Sequence, residues 1–416
     1  MLRQDKWRFS GAILPQRSAL GSENGQMRGW AINRWTIEII LTCLPLAVVA
    51  PDAASAQENK LNSSIESILS GAVANNQPGV AALVKKDGKI LLSKGYGVRR
   101  LGSTVQIDSQ TNFRLASFTK QFTAMGIMLL VHDGKLRYDQ SLIEIFPDFP
   151  TYGKSITVRN LLNHTSGLPD YEALMEKAEK AKGPLWSPEH QIQDVEVLEL
   201  LKRETTGKFA PGTSWAYSNS GYVVLGLIIA KASGTSYREF LQTRIFAPLH
   251  MDHTLVYQKS VNEISNRAYG NTKDGNSFKE TDQSATSATL GDGGIYSNLD
   301  DLSKWDDGLR NRTLLSAAEM QPALIPVKLT DGSQPRWPAA PDDDNLAPSK
   351  PVSYGFGWFL DPDKDHARMW HTGGTMGFRT IIQRFTTDNL TIVLLCNHTD
   401  LDPKTISEQI AGLTLE

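Results

Sequence analysis

Ser117-Phe118-Thr119-Lys120, running straight into the apolar stretch QFTAMGIMLLVH over 121–132, is the only Ser-x-x-Lys in the 416 residues. Three residues along a helix is close to one turn, so the two side chains share a face. A lysine amine there comes within reach of the serine hydroxyl and can take its proton, which turns an unreactive alcohol into a nucleophile. The tetrapeptide alone carries little weight, since average Ser and Lys usage gives roughly one or two chance matches in a chain this long. A helix start with Ser as cap and Lys in solvent is the competing reading, and the rest of the chain decides between them.

Outward from this stretch, strand patterns lie toward both ends and helical patterns between. Residues 58–76 read as a helix with Leu61, Ile65 and Leu69 on one face, and 80–84, the Asp87-Gly88 turn and 90–98 form a hairpin signal. Residues 156–250 are mainly helical, including an apolar helix over 223–231 stopped by Gly234, while the charged, Pro-punctuated 172–196 suggests a surface excursion. Residues 322–351 hold seven prolines and read as a long irregular loop. Strands return over 354–360, 368–371, 378–385 and 390–397, before a closing helix from Thr405. The expectation is an α+β fold: one antiparallel sheet assembled from the two chain ends, flanking helices, and an inserted helical lobe. A catalytic site would lie at the seam between sheet and lobe.

A net charge of −2 with 21% charged residues provides no basic footprint for nucleic acid and no acidic tail. Arg28 and Arg34 precede an apolar run over 39–50, and Ala54-Ser55-Ala56 supplies a small-x-small cleavage pattern. That run is too short to span a bilayer comfortably. Residues 1–56 are therefore expected to be a presequence with its true start at Met27 and cleavage after Ala56, leaving 57–416 as one domain, exported to the periplasm or secreted, with no membrane span. Cys43 falls inside the presequence, so Cys396 is expected alone, as a buried core thiol rather than half of a disulfide.

Acyl transfer needs a nucleophile, a base, a proton route to the leaving group and donors for the oxyanion. Ser117 and Lys120 fill the first two roles, and the Ser117 N–H is a natural oxyanion donor. Tyr217-Ser218-Asn219, on a loop after Pro211-Gly212 and ahead of the apolar helix, is the next candidate. A neighbouring ammonium is expected to lower the Tyr217 pKa so that the phenol shuttles a proton, and Asn219 can hold Lys120 with its carbonyl and a substrate with its amide nitrogen. Tyr269-Gly270-Asn271 and Tyr296-Ser297-Asn298 repeat this pattern, the latter reading as a helix cap. His371-Thr372-Gly373-Gly374, at a strand edge, is the third candidate: Gly374 N–H as second oxyanion donor, His371 and Thr372 facing the substrate, Gly373 permitting close approach. A plain core histidine is the bland alternative for His371. Asp292-Gly293-Gly294 is a dense turn suited to a pocket floor. No His-Glu-x-x-His pair is present, and the chemistry requires no metal or cofactor.

Taken in order, Ser117-x-x-Lys120, Tyr217-x-Asn219 and His371-Thr372-Gly373 resemble the serine β-lactamase/penicillin-binding-protein superfamily in its class C-like branch. Asn163-His164-Thr165-Ser166-Gly167-Leu168-Pro169 and Gly293-Gly294 are similar as well, and the likeness runs from about residue 60 to the C-terminus. Two departures stand out. His371 occupies the place where most β-lactamases of this class carry lysine, as in some D,D-peptidases, D-aminopeptidases and esterases of the superfamily. No Glu-x-x-x-Asn follows Ser117, where the class A deacylating signature would stand (the one match, Glu58 to Asn62, lies far ahead of it), so deacylation would resemble the Tyr/Lys-assisted route. The resemblance implies a serine hydrolase acting through an acyl-enzyme on a small ester, amide or peptide. A β-lactamase is the second reading, and a penicillin-binding sensor without turnover the third.

Overall fold

The computed structural model of the protein describes residues 53–74, 76–337 and 350–415. The expected presequence, with Cys43, falls outside them except that Ala54-Ser55-Ala56 lies in the first helix. Five strands form an antiparallel sheet: β1 (Val80–Lys86), β2 (Lys89–Tyr96), β3 (Arg368–Thr375), β4 (Phe378–Phe385) and β5 (Leu390–Cys396), in the order β2-β1-β5-β4-β3. The two chain ends meet at the centre of the sheet, where Leu83 pairs with Val393. This is the α+β architecture expected from the positions of the strand patterns.

Both central strands are apolar along almost their whole length because both faces of the sheet are covered. On one face lie α1 (Ala53–Ala72) and a C-terminal helix (Pro403–Leu415), packed through Ile65, Leu69, Ile406 and Ile410 against Ala82, Val84 and Ile392. Asp402 caps the C-terminal helix by accepting from the Lys404 and Thr405 N–H groups. On the other face lies the main core, including α2 (Lys120–His132) and α3 (Asn219–Ser233), whose residues are buried almost all round. A helix apolar on every side has to sit inside the protein, and α2 and α3 pack against each other there. Cys396 is a free, buried thiol, as expected.

Several boundaries differ from expectation. The charged stretch beginning at 172 is a helix, Tyr171–Lys182, capped by Asp170 accepting from Ala173 N–H at 3.1 Å. Its charges form the solvent face, while Leu174 and Met175 are buried. The 368–371 strand extends to Thr375. The expected strand 354–360 is instead a tight turn with isolated bridges. Its Gly357 has φ +77°, and a Cβ there would sit 2.8 Å from the Lys120 carbonyl oxygen, so the chain folds back against the start of α2 instead of continuing straight. The irregular 322–351 stretch begins as a short turn of helix (Gln321–Leu324), and Trp337 N–H bonds Lys350 O at 3.0 Å. Among the described residues no helix is long and apolar enough to cross a membrane.

Candidate active site

A two-residue strand (Phe113–Arg114) ends in a sharp turn before a 3₁₀ helix (Ala116–Thr119) that leads into α2. Ala116 adopts φ +51°, a left-handed conformation that costs a non-glycine residue of order 1–2 kcal/mol. The turn is held from three sides: Leu115 N–H bonds Ile295 O at 2.9 Å, Thr380 Oγ1 donates to Leu115 O at 2.8 Å, and Gly293 lies against Ala116. Its effect is to leave Ser117 half-exposed while its immediate neighbours are buried. Three residues make one turn of a 3₁₀ helix, so Lys120 returns directly under Ser117.

The Lys120 Nζ is fully buried and has three neighbours: Ser117 Oγ at 2.9 Å, Asn219 Oδ1 at 2.8 Å and the Asp292 carbonyl oxygen at 3.0 Å. Burial pulls its pKa down to about 8, against the opposing pull of the Asp292 and Glu172 carboxylates. Two of the three neighbours are oxygens that can only accept. In the neutral amine the two remaining N–H bonds stay on Asn219 and Asp292, and the lone pair faces the Ser117 hydroxyl. That arrangement can remove a proton from Ser117 with no side-chain movement.

Ser218 caps α3 by accepting from Gly221 N–H, so Tyr217 sits just outside the helix and Asn219 is its first residue. Of the three Tyr-x-Asn sequences, this is the one that reaches Lys120. Asn298 caps the helix Leu299–Asn311, and Asn271 bonds the Tyr269 and Asn397 carbonyls. The Tyr217 phenol neighbours Ser117, and its ring lies 4.9 Å from Lys120 Nζ. The expected lowering of its pKa is reversed: burial raises it, outweighing the opposing pull of Ser117, so this is a neutral phenol.

β3 runs along the same turn. A Cβ on Gly373 would land 2.1 Å from Leu115 O and 2.4 Å from Thr380 Oγ1, so only glycine allows this contact. Gly374 is exposed at the strand edge and Thr372 is half-buried. His371 departs from expectation. It is 1% exposed, with Nδ1 donating to Thr372 O at 2.6 Å and Nε2 accepting from the Tyr354 hydroxyl at 3.2 Å. Burial and the Lys120 charge push its pKa down to about 3. It is a neutral ring engaged on both nitrogens, not a side chain free to face the substrate.

Sequence reasoning missed three contributors. The Asp292 carbonyl holds Lys120, and a main-chain ligand leaves no side-chain signature; the Gly293-Gly294 turn was the one hint. Tyr354 holds His371. His164 packs its ring 4.5 Å from Tyr217 and accepts from Ser218 N–H.

The Beta-lactamase family profile matches residues 65–413. Penicillin-binding protein 4* of Bacillus subtilis (strain 168) is 33% identical over 328 residues, spanning 76% of this chain and 67% of that protein. D-amino acid amidase from Ochrobactrum anthropi SV3, solved with L-phenylalanine amide, superposes with a TM-score of 0.68 at 26% identity, over 86% of this chain and 97% of the amidase. The octameric penicillin-binding protein homologue from Pyrococcus abyssi gives a TM-score of 0.66 at 25% identity, over 86% and 76%.

Proposed function

This chain belongs to the β-lactamase family of serine hydrolases, and we propose that it is an exported enzyme acting through an acyl-enzyme on an ester or amide, with Ser117 as nucleophile and Lys120 as base. The observation that carries this is the buried Lys120 Nζ, 2.9 Å from Ser117 Oγ with a pKa near 8. In this reading Lys120 takes the hydroxyl proton as Oγ bonds the substrate carbonyl carbon. The oxyanion is met by the Ser117 and Gly374 N–H groups. Tyr217, a neutral phenol beside Ser117, passes a proton to the departing oxygen or nitrogen, and Asn219 and Thr372 orient the substrate. Water then attacks the acyl carbon by the same route in reverse.

The substrate class follows from charge. The neutral, fully engaged His371 provides no cation for the carboxylate that β-lactams and C-terminal peptides carry. Simple esters and amino-acid amides therefore rank ahead of β-lactams. The amidase activity named for the Ochrobactrum neighbour supports the amide side of this choice.

The test is a substrate panel beside active-site labelling: p-nitrophenyl esters of increasing length, D-amino-acid anilides, a D-Ala-D-Ala peptide and nitrocefin, with a fluorophosphonate probe followed by peptide mass spectrometry. Expected are turnover of esters or anilides well above nitrocefin and a single adduct on Ser117. An adduct on another residue, or nitrocefin as the best substrate, would refute the reading. An adduct without turnover of any substrate would favour the sensor.

A further inference from the structure

We propose that His164 is a positioning residue that aims the Tyr217 phenol at Ser117. The proposal rests on the Ser117/Tyr217 reading above. Its basis is a pair of hydrogen bonds placed on either side of Tyr217. The His164 carbonyl oxygen accepts from Ala216 N–H at 3.1 Å, and its Nδ1 accepts from Ser218 N–H at 3.1 Å. One residue thus holds the backbone before and after the tyrosine. The imidazole also packs on the phenol ring, with centroids 4.5 Å apart, and on Tyr354 at 4.6 Å. The next residue extends the clamp: Thr165 O accepts from Gly212 N–H at 2.8 Å, at the turn where this loop begins.

Two features show that the position is maintained at a cost. His164 has φ +64°, in the left-handed region that is strained for most side chains. Because Nδ1 accepts from an N–H, the ring proton resides on Nε2, and that buried nitrogen has no hydrogen-bond partner among the described residues. A fold that needed only an apolar plug here would be better served by a residue without that donor. Burial and the Lys120 charge hold the ring far below its ordinary pKa, so Nδ1 remains an acceptor throughout the working range.

Backbone and side-chain roles separate by substitution. His164→Gly relieves the strain and removes the acceptor. His164→Asn keeps both tolerance of positive φ and a side-chain oxygen able to accept from Ser218 N–H. The readout is leaving-group dependence. An anilide needs a proton delivered as the C–N bond breaks, whereas p-nitrophenolate leaves without one, so a misaimed phenol slows the anilide more. Expected for His164→Gly is a fall of roughly tenfold or more in the anilide-to-p-nitrophenyl-ester ratio of kcat/KM, which reads only the steps through acylation, with His164→Asn holding the wild-type ratio within about threefold and both variants folded by circular dichroism. If both substrates slow in parallel in His164→Gly, or His164→Asn fails to restore the ratio, His164 does not position Tyr217. Wild-type enzyme that turns over neither substrate and takes no fluorophosphonate would instead bring down the hydrolase reading itself, and this proposal with it.

Discussion

Lys120→Ala is expected to slow acylation of Ser117 by ~10²–10⁴-fold, the usual cost of losing a general base, with the fold retained. The expectation rests on the three contacts of Nζ. Its two acceptors other than Ser117 lie on separate segments of the chain, α3 and the Asp292 turn, and together they fix the amine beside Ser117 Oγ. Stability should change little, because two effects oppose each other. Removing the lysine strips Asn219 Oδ1 and Asp292 O of a donor, yet it also removes a fully buried cationic group whose pKa burial pulls down to about 8. Lys120→Arg separates charge from basicity. A guanidinium keeps the positive charge but does not give up its proton near neutral pH, so the arginine variant should be as slow as the alanine one. Stopped-flow acylation with p-nitrophenyl acetate gives both rates. An arginine variant near wild-type speed would mean that Lys120 acts through its charge alone.

The second large effect is expected at Gly373. An added Cβ would lie 2.1 Å from the Leu115 carbonyl oxygen, so Gly373→Ala has to drive β3 away from the turn that carries Ser117. The Gly374 N–H moves with the strand. A displaced oxyanion donor costs roughly 10²–10³ in kcat, and the overpacking itself costs about 1–3 kcal/mol of stability. Kinetics and thermal unfolding of Gly373→Ala should both show it. Gly71→Ala, in α1 where an added Cβ meets nothing within 4 Å, is the control: its kinetics should be unchanged and its stability unchanged or raised by up to about 1 kcal/mol. Wild-type kinetics in Gly373→Ala would mean that the tight approach of β3 has no part in catalysis.

What could be read from the sequence was what depends on local spacing. The Ser117/Lys120 pairing is a three-residue relation within one helical turn. The hairpin and the C-terminal strands carry their own apolar runs and turn residues, which sufficed for a sheet built from both chain ends. Long-range relations were less legible. Three Tyr-x-Asn sequences look alike until one Asn side chain is found 2.8 Å from Lys120 Nζ. The direction of the Tyr217 shift was misjudged because sequence shows the neighbouring ammonium and hides the burial that outweighs it. His371 was expected to face a substrate because its motif ends at a strand edge, whereas Tyr354 and the Thr372 carbonyl engage both its nitrogens. The 354–360 stretch has strand-like composition, and the close approach of Gly357 to the start of α2, with φ +77°, is a long-range relation that composition does not carry.

The central claim is that Ser117 gives its proton to a neutral Lys120, and the pH dependence of the acylation rate tests it most directly. With the Lys120 pKa lowered to about 8, the amine is protonated and unable to accept below that value and free above it. About a tenth of the molecules are competent at pH 7. The second-order rate constant with p-nitrophenyl acetate should therefore rise with pH and level off, with its midpoint near 8, and the rise should vanish in Lys120→Ala. A rate that is flat across that range, or a rise that persists unchanged without the lysine, would contradict the account.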